Sequence, residues 1–85
     1  MDNLGINIKI NGEQITKAGF NKAHYVLHAM ATFARRGGSN DAFGFRVGGL
    51  DSDAGSHVDW LNMTLHLGDI VTLEIVKGPF DPSER

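Results

Sequence analysis

The chain of 85 residues contains no cysteine. Disulfides and thiolate metal centres are therefore excluded. A domain this small buries only a modest share of its surface, so apolar packing or a partner must hold it together. The lack of cysteine fits a reducing compartment. Long apolar runs are also missing, and none approaches the roughly 20 residues a membrane span needs. No basic region followed by an apolar core opens the sequence "MDNLGINIKING", so no signal peptide is expected and a cytoplasmic location is. Neither sign of charge dominates: 8 basic residues face 10 acidic ones, for a formal net charge of -2. That balance argues against nucleic acid, which demands a basic stripe.

What is present is patterned. In residues 4–10, "LGINIKI", Ile6, Ile8 and Ile10 alternate with Asn7 and Lys9, the signature of a strand with one buried face. Asn11-Gly12 supplies two residues tolerant of positive φ, as a type I′ hairpin turn requires. "EQITKA" is expected to return as the second strand, with Ile15 its main inward residue. Residues 21–36, "NKAHYVLHAMATFARR", read as a helix: Asn21 as N-cap, Gly37 as stop, and Val26, Met30 and Phe33 along one line. Arg35 and Arg36 then suit the dipole at its C-terminal end.

Residues 37–41 have loop composition. "AFGFRVGGL", 42–50, places Phe43, Phe45 and Val47 on one face of a third strand, and "HVDWL", 57–61, forms a short fourth. "IVTLEIVKG", 70–78, is apolar on both faces and is expected inside the sheet. Pro79 breaks it and leaves 79–85 as a flexible tail after a single domain of residues 1–78. The expected fold is α+β: hairpin, helix, then strands (ββαβββ), with a four- to five-stranded mixed sheet and one helix on one face. That order suggests a β-grasp, or ubiquitin-like, arrangement, whose first and last strands lie parallel at the sheet centre.

"LHLGDIVTLEIV", 65–76, resembles the close of small β-grasp sulfur-carrier proteins, where a leucine and a Gly-Asp turn precede the last strand. Those carriers work through a terminal Gly-Gly. This sequence ends "DPSER", so the resemblance implies a fold and not the carrier activity. "GGLDS" at Gly48–Ser52, the pair His57 and Trp60, and the turn from Leu65 to Asp69 are also similar to a group of small uncharacterised bacterial proteins, a resemblance that implies no activity.

The stretch most like chemistry is "VGGLDSDAGSHVDW", residues 47–60. A calcium loop would place its glycine sixth and end in glutamate; here glycine falls fifth and no glutamate follows. Turn chemistry explains it better: Asp51 and Ser52 cap a connection between strands, and Gly55 takes positive φ. His24 and His28, four apart on a helix, could share a metal, but two histidines are an incomplete ligand set. No serine sits in a nucleophile elbow, and no phosphate loop is present. Trp60 is either core beneath the helix or an interface anchor, with core the better supported.

The sequence therefore points to a small non-enzymatic protein-binding module, an adaptor, inhibitor or immunity-type protein acting by surface occlusion. Its partner is expected to be another protein, with neither nucleic acid nor membrane involved, and no cofactor or metal is expected. The candidate contact residues are His24, His28, Arg35, Arg36, Asp51, Asp53, His57 and Trp60. The alternatives are a histidine-based metal- or small-molecule-binding protein and a structural homodimer joined by sheet edges.

Overall fold

A computed structural model describes residues 3–35 and 42–83. Among them the chain forms six strands: β1 (Leu4–Ile10), β2 (Glu13–Ala18), β3 (Tyr25–Ala34), β4 (Ala42–Asp51), β5 (Ser56–Leu65) and β6 (Val71–Lys77). They make two three-stranded sheets, in order β2-β1-β6 and β3-β4-β5, with every pairing antiparallel. The described residues contain no helix, and so none that could cross a membrane. The fold is all-β, and the α+β, β-grasp expectation is overturned.

The expected helix is strand β3. Its ten residues pair without interruption with β4, from Tyr25 opposite Asp51 to Ala34 opposite Ala42. Two features of the segment tip the balance. Tyr25, Val26, Thr32 and Phe33 are aromatic or β-branched and fit a pleated surface. Between Tyr25 and Ala34 there is also no Asp, Glu, Lys or Arg, so a helix here would have little to show solvent on its outer face. Against that, β4 has two edges of backbone donors and acceptors to satisfy, and β5 serves only one. In the strand, the line Val26, Met30, Phe33 is divided: Leu27 and Ala29 pack on the core, and Val26 and Met30 lie exposed on the other face.

The amino-terminal hairpin forms as its sequence requires. Asn11 has φ of 54° and Gly12 of 84°, both in the left-handed region. One detail differs. The β1–β2 register slips between Ile8 and Lys9, with Ile8 opposite Thr16 and Lys9 opposite Gln14, so Ile15 is the unpaired residue of a bulge. It is left exposed, and Thr16 and Ala18 turn inward instead.

Ile6, Ile8 and Ile10 from one sheet meet Phe45, Val47 and Trp60 from the other, and Ala18 completes the core. β4 is thus the central strand of its sheet and β1 of the other. The last strand is not central. β6 pairs only with β1, antiparallel, at an edge. Its apolar character on the β1 side of the register, Val71, Leu73 and Ile75 opposite Ile10, Ile8 and Ile6, comes from lining the gap between layers. The Ile70 that suggested a second buried face lies before the strand, exposed.

Strands β3 to β5 have ten residues each and β1, β2 and β6 six or seven. The longer sheet therefore overruns the shorter by about 10 Å at 3.3 Å per residue. On that overhang Phe33 and Phe43, directly opposite in the ladder, stack with ring centroids 4.3 Å apart and stay partly exposed.

Beyond β6, Phe80 and Asp81 contact the domain. The Asp81 N–H donates to the Lys17 carbonyl (2.8 Å), and the Lys17 N–H donates to the Asp81 carboxylate (3.0 Å). The Phe80 ring lies over Gly5 and Gly19; a Cβ on Gly19 would come within 2.6 Å of it. Proline ends the ladder, but an aromatic side chain beyond it still has two bare glycines on which to pack.

Candidate functional site

The loop that looked most like chemistry is a turn. Residues 52–55 connect β4 to β5, and Gly55 has φ of 69°. Asp51 organises it. Its carboxylate accepts from the backbone N–H groups of Asp53 and Ala54, each at 3.2 Å, and from the Lys22 ammonium at 2.8 Å. The Lys22 hydrogen bond, followed by that from Ala54, holds the Asp51 carboxyl below its ordinary pKa, and the same contact raises Lys22. Asp51 is buried, and its oxygens are committed to capping. Beside it, exposed His24 and Asp53 sit 3.2 Å apart, Nδ1 to Oδ1.

The remaining sequence candidates are dispersed. His24 precedes β3 and His28 lies within it; four residues along a strand span about 13 Å, so the shared-metal spacing of a helix is gone. His28 lies across the outer face of its sheet above Gly48. A Cβ there would stand 3.1 Å from its Nε2 and 2.7 Å from Asp59 Oδ1. Asp59 in turn pairs with Arg46 at 3.3 Å. His57 is exposed on β5, opposite Leu50. Arg35 follows the end of β3, and Arg36 lies outside the described residues. No three His, Asp or Glu side chains among the described residues are grouped as metal ligands.

Trp60 is core, 5% exposed. A register shift between Val47 and Gly48 leaves it the extra residue of β5, and its indole reaches the interior. There its ring meets Phe20 edge-on at 5.3 Å, and Phe20 meets Tyr25 at 5.3 Å. The indole N–H donates to the Asp81 carbonyl (2.8 Å). Trp60 thus serves packing and is not available as a surface anchor.

The concave surface lies elsewhere, along the rim where β3 and β6 edge the two sheets. A groove of about 340 Å³ opens there, with Leu4 and Ile6, Leu27 and Ala29, and Leu73 and Ile75 among its walls. Leu73 is 47% and Ile75 70% exposed although both belong to the interlayer row of β6. On the opposite side of the sandwich β2 and β5 approach one another. At one end of the rim the Tyr25 hydroxyl donates to the Leu4 carbonyl (2.6 Å) and accepts from the Leu4 N–H (3.0 Å), which fixes the spacing of the two layers.

Sequence reasoning assigned these rim residues to other roles. The pattern predicts a central strand for Leu73 and Ile75 and a helix for Leu27 and Ala29. The signal that could have found them is the ten-residue run Tyr25–Ala34, which carries neither proline nor formal charge. A second, smaller groove of about 220 Å³ lies under the overhang, beside Phe43, Leu65 and the fully exposed Leu67. No protein-family model, no curated protein and no solved structure matches the chain.

Proposed function

We propose that the protein is a non-enzymatic protein-binding module that works by receiving an extended segment of its partner along the rim between β3 and β6. The observation that carries this reading is the exposed apolar pair Leu73 and Ile75 facing Leu27 and Ala29 across an open groove. An apolar floor flanked by sheet edges suits a strand: the backbone of the guest pairs with an edge, and alternate side chains enter the groove. The lining supports a binding role over a catalytic one, because its walls are apolar apart from His28, whose ring lies across the outer face of the sheet above Gly48.

The test is affinity capture from the native cell with the wild-type chain and with Ile75→Lys. Ile75 is largely exposed, so the substitution leaves the core intact. Loss of the captured protein with unchanged far-UV circular dichroism supports the reading. Equal capture by both chains removes the rim as the binding surface.

A further inference from the structure

The four sheet edges are not alike. β2 carries a bulge at Ile15, and its Lys17 backbone is taken by Asp81. β5 carries a bulge at Trp60 and the charge of Asp59. β6 carries Glu74, paired with Asn7 and Lys9, and Lys77. These are the devices by which proteins keep edges from pairing with other chains: bulges, charges and covering segments. β3 has none of them. It runs ten residues, "YVLHAMATFA", in even register with β4, with no proline, bulge or formal charge, and it pairs with β4 alone among the described residues.

We infer that β3 is the interface for a second copy of this chain, the two β3 strands pairing antiparallel about a two-fold axis to make one continuous six-stranded sheet. The inference rests on the rim being a protein-binding surface and names its occupant. Antiparallel self-pairing is isologous, so every feature of the edge is presented to itself. With Ala29 on the axis, Leu27 faces the partner copy's Ala31 and Tyr25 faces its Phe33 on the interlayer side, large against small at the centre and ring against ring at the ends. On the outer side Val26 faces Thr32 and His28 faces Met30. No like charges meet, because the strand has none.

The same axis turns the Leu73 and Ile75 rows of the two copies toward each other and closes the groove that each leaves open. The rim is about 33 Å long for the ten residues of β3, but both sheets line it only over the roughly 23 Å that β6 spans, and the molecule is 17 Å across its shortest dimension. That offers roughly 450 Å² per copy and roughly 900 Å² in all, just under the roughly 1,000 Å² of a stable interface, the size of a weak, concentration-dependent dimer.

The experiment is sedimentation equilibrium of the full chain across micromolar concentrations, with amide hydrogen exchange of residues 25–34, for the wild type and Met30→Lys. Met30 is exposed, and the substitution sets two lysines beside the axis. A wild type of twice the monomer mass with β3 amides protected, and a Met30→Lys chain of monomer mass with alternate β3 amides open, supports the dimer. Cross-linking gives a second readout that does not depend on Met30→Lys folding. Because the chain lacks cysteine, Ala29→Cys has only its counterpart to join, and a disulfide-linked dimer under mild oxidation supports the same axis. A wild type of monomer mass throughout, with Ala29→Cys left unlinked, overturns the dimer. A synthetic peptide of residues 25–34, flanked by added lysines, then separates the two claims. Protection of β3 amides by the peptide on a monomeric chain overturns only the second copy as occupant, and no protection overturns the rim as a binding surface as well.

Discussion

The indole N–H of Trp60 and the backbone carbonyl of Asp81 are 2.8 Å apart, a bond that reaches from the interior of one sheet to a segment beyond the last strand. Through it the core tryptophan, the β2 edge and the C-terminal segment become one packing unit. Asp81 also clamps Lys17, and Phe80 covers Gly5 and Gly19.

Removing the Phe80 ring should therefore be felt well inside the domain. Phe80→Ala is expected to cost about 2–3 kcal/mol, less than a fully buried phenylalanine because the ring is half-buried. Urea unfolding followed by tryptophan fluorescence measures it. A change within 0.5 kcal/mol, the size of a neutral surface substitution, would show the segment to be undocked (about that threshold).

Gly19 tests the same contact from the other side. A Cβ there would lie 2.6 Å from the ring, so Gly19→Ala must displace Phe80. The two substitutions are expected to be non-additive: Gly19→Ala is costly in the wild type and nearly silent once Phe80→Ala has removed the ring. Additive costs in a double-mutant cycle would rule out the contact.

The two turns at the opposite end depend on Asn11. Its N–H donates to the Ile70 carbonyl (2.8 Å), its side-chain oxygen accepts from the Ile70 N–H (2.9 Å), and its amide donates to Asp69 (3.0 Å). It also holds φ of 54°. Asn11→Ala loses the side-chain bonds and strains the backbone, at about 1–2 kcal/mol. Asn11→Gly loses the bonds but relieves the backbone, so its unfolding midpoint should lie between those of the wild type and the alanine variant. Equal midpoints for all three would remove the side chain's role.

Three carboxylates set the acid limit. Asp51 is lowered by its hydrogen bond from Lys22, Asp69 by that from Asn11, and Glu74 by that from Asn7. Each binds its proton less readily in the folded chain than in the unfolded one, so its contribution is complete above the ordinary carboxylate range. That contribution is lost as pH falls through about 4 toward the lowered folded values. Lys22 is raised, so its contribution is complete below its ordinary 10.5 and lost as pH climbs past that value. Urea midpoints should be level near neutrality and fall at both extremes. Asp51→Asn should flatten the acid limb, and an unchanged limb would assign it to other groups.

Much of the strand content was legible because it obeys local rules. Ile6, Ile8 and Ile10 alternate, Asn11-Gly12 dictates its turn, and Asp51 with Gly55 marks another. Residues 21–36 were illegible because their type was decided by a distant partner. Leu, Met and Ala in Tyr25–Ala34 satisfy a helical wheel as well as a pleat; the β-branched and aromatic residues and the missing charge lean toward the pleat, and the unfilled edge of β4 completes the choice. That one substitution of strand for helix turned a one-layer cover into a second sheet. It also moved the candidate site from the polar groups His24, His28 and Asp53 to an apolar rim. Leu73 and Ile75 could not be read as exposed, because their pattern is the same whether the groove above them is filled or open.

The most direct measurement is residue-by-residue amide exchange across positions 25–34 in the Met30→Lys chain. An open edge strand predicts alternation, with amides directed at β4 protected and every second one exchanging quickly. Unbroken protection through those ten positions in a chain of monomer mass would contradict it, because the segment would then be helical or covered by its own chain, and no rim would stand open.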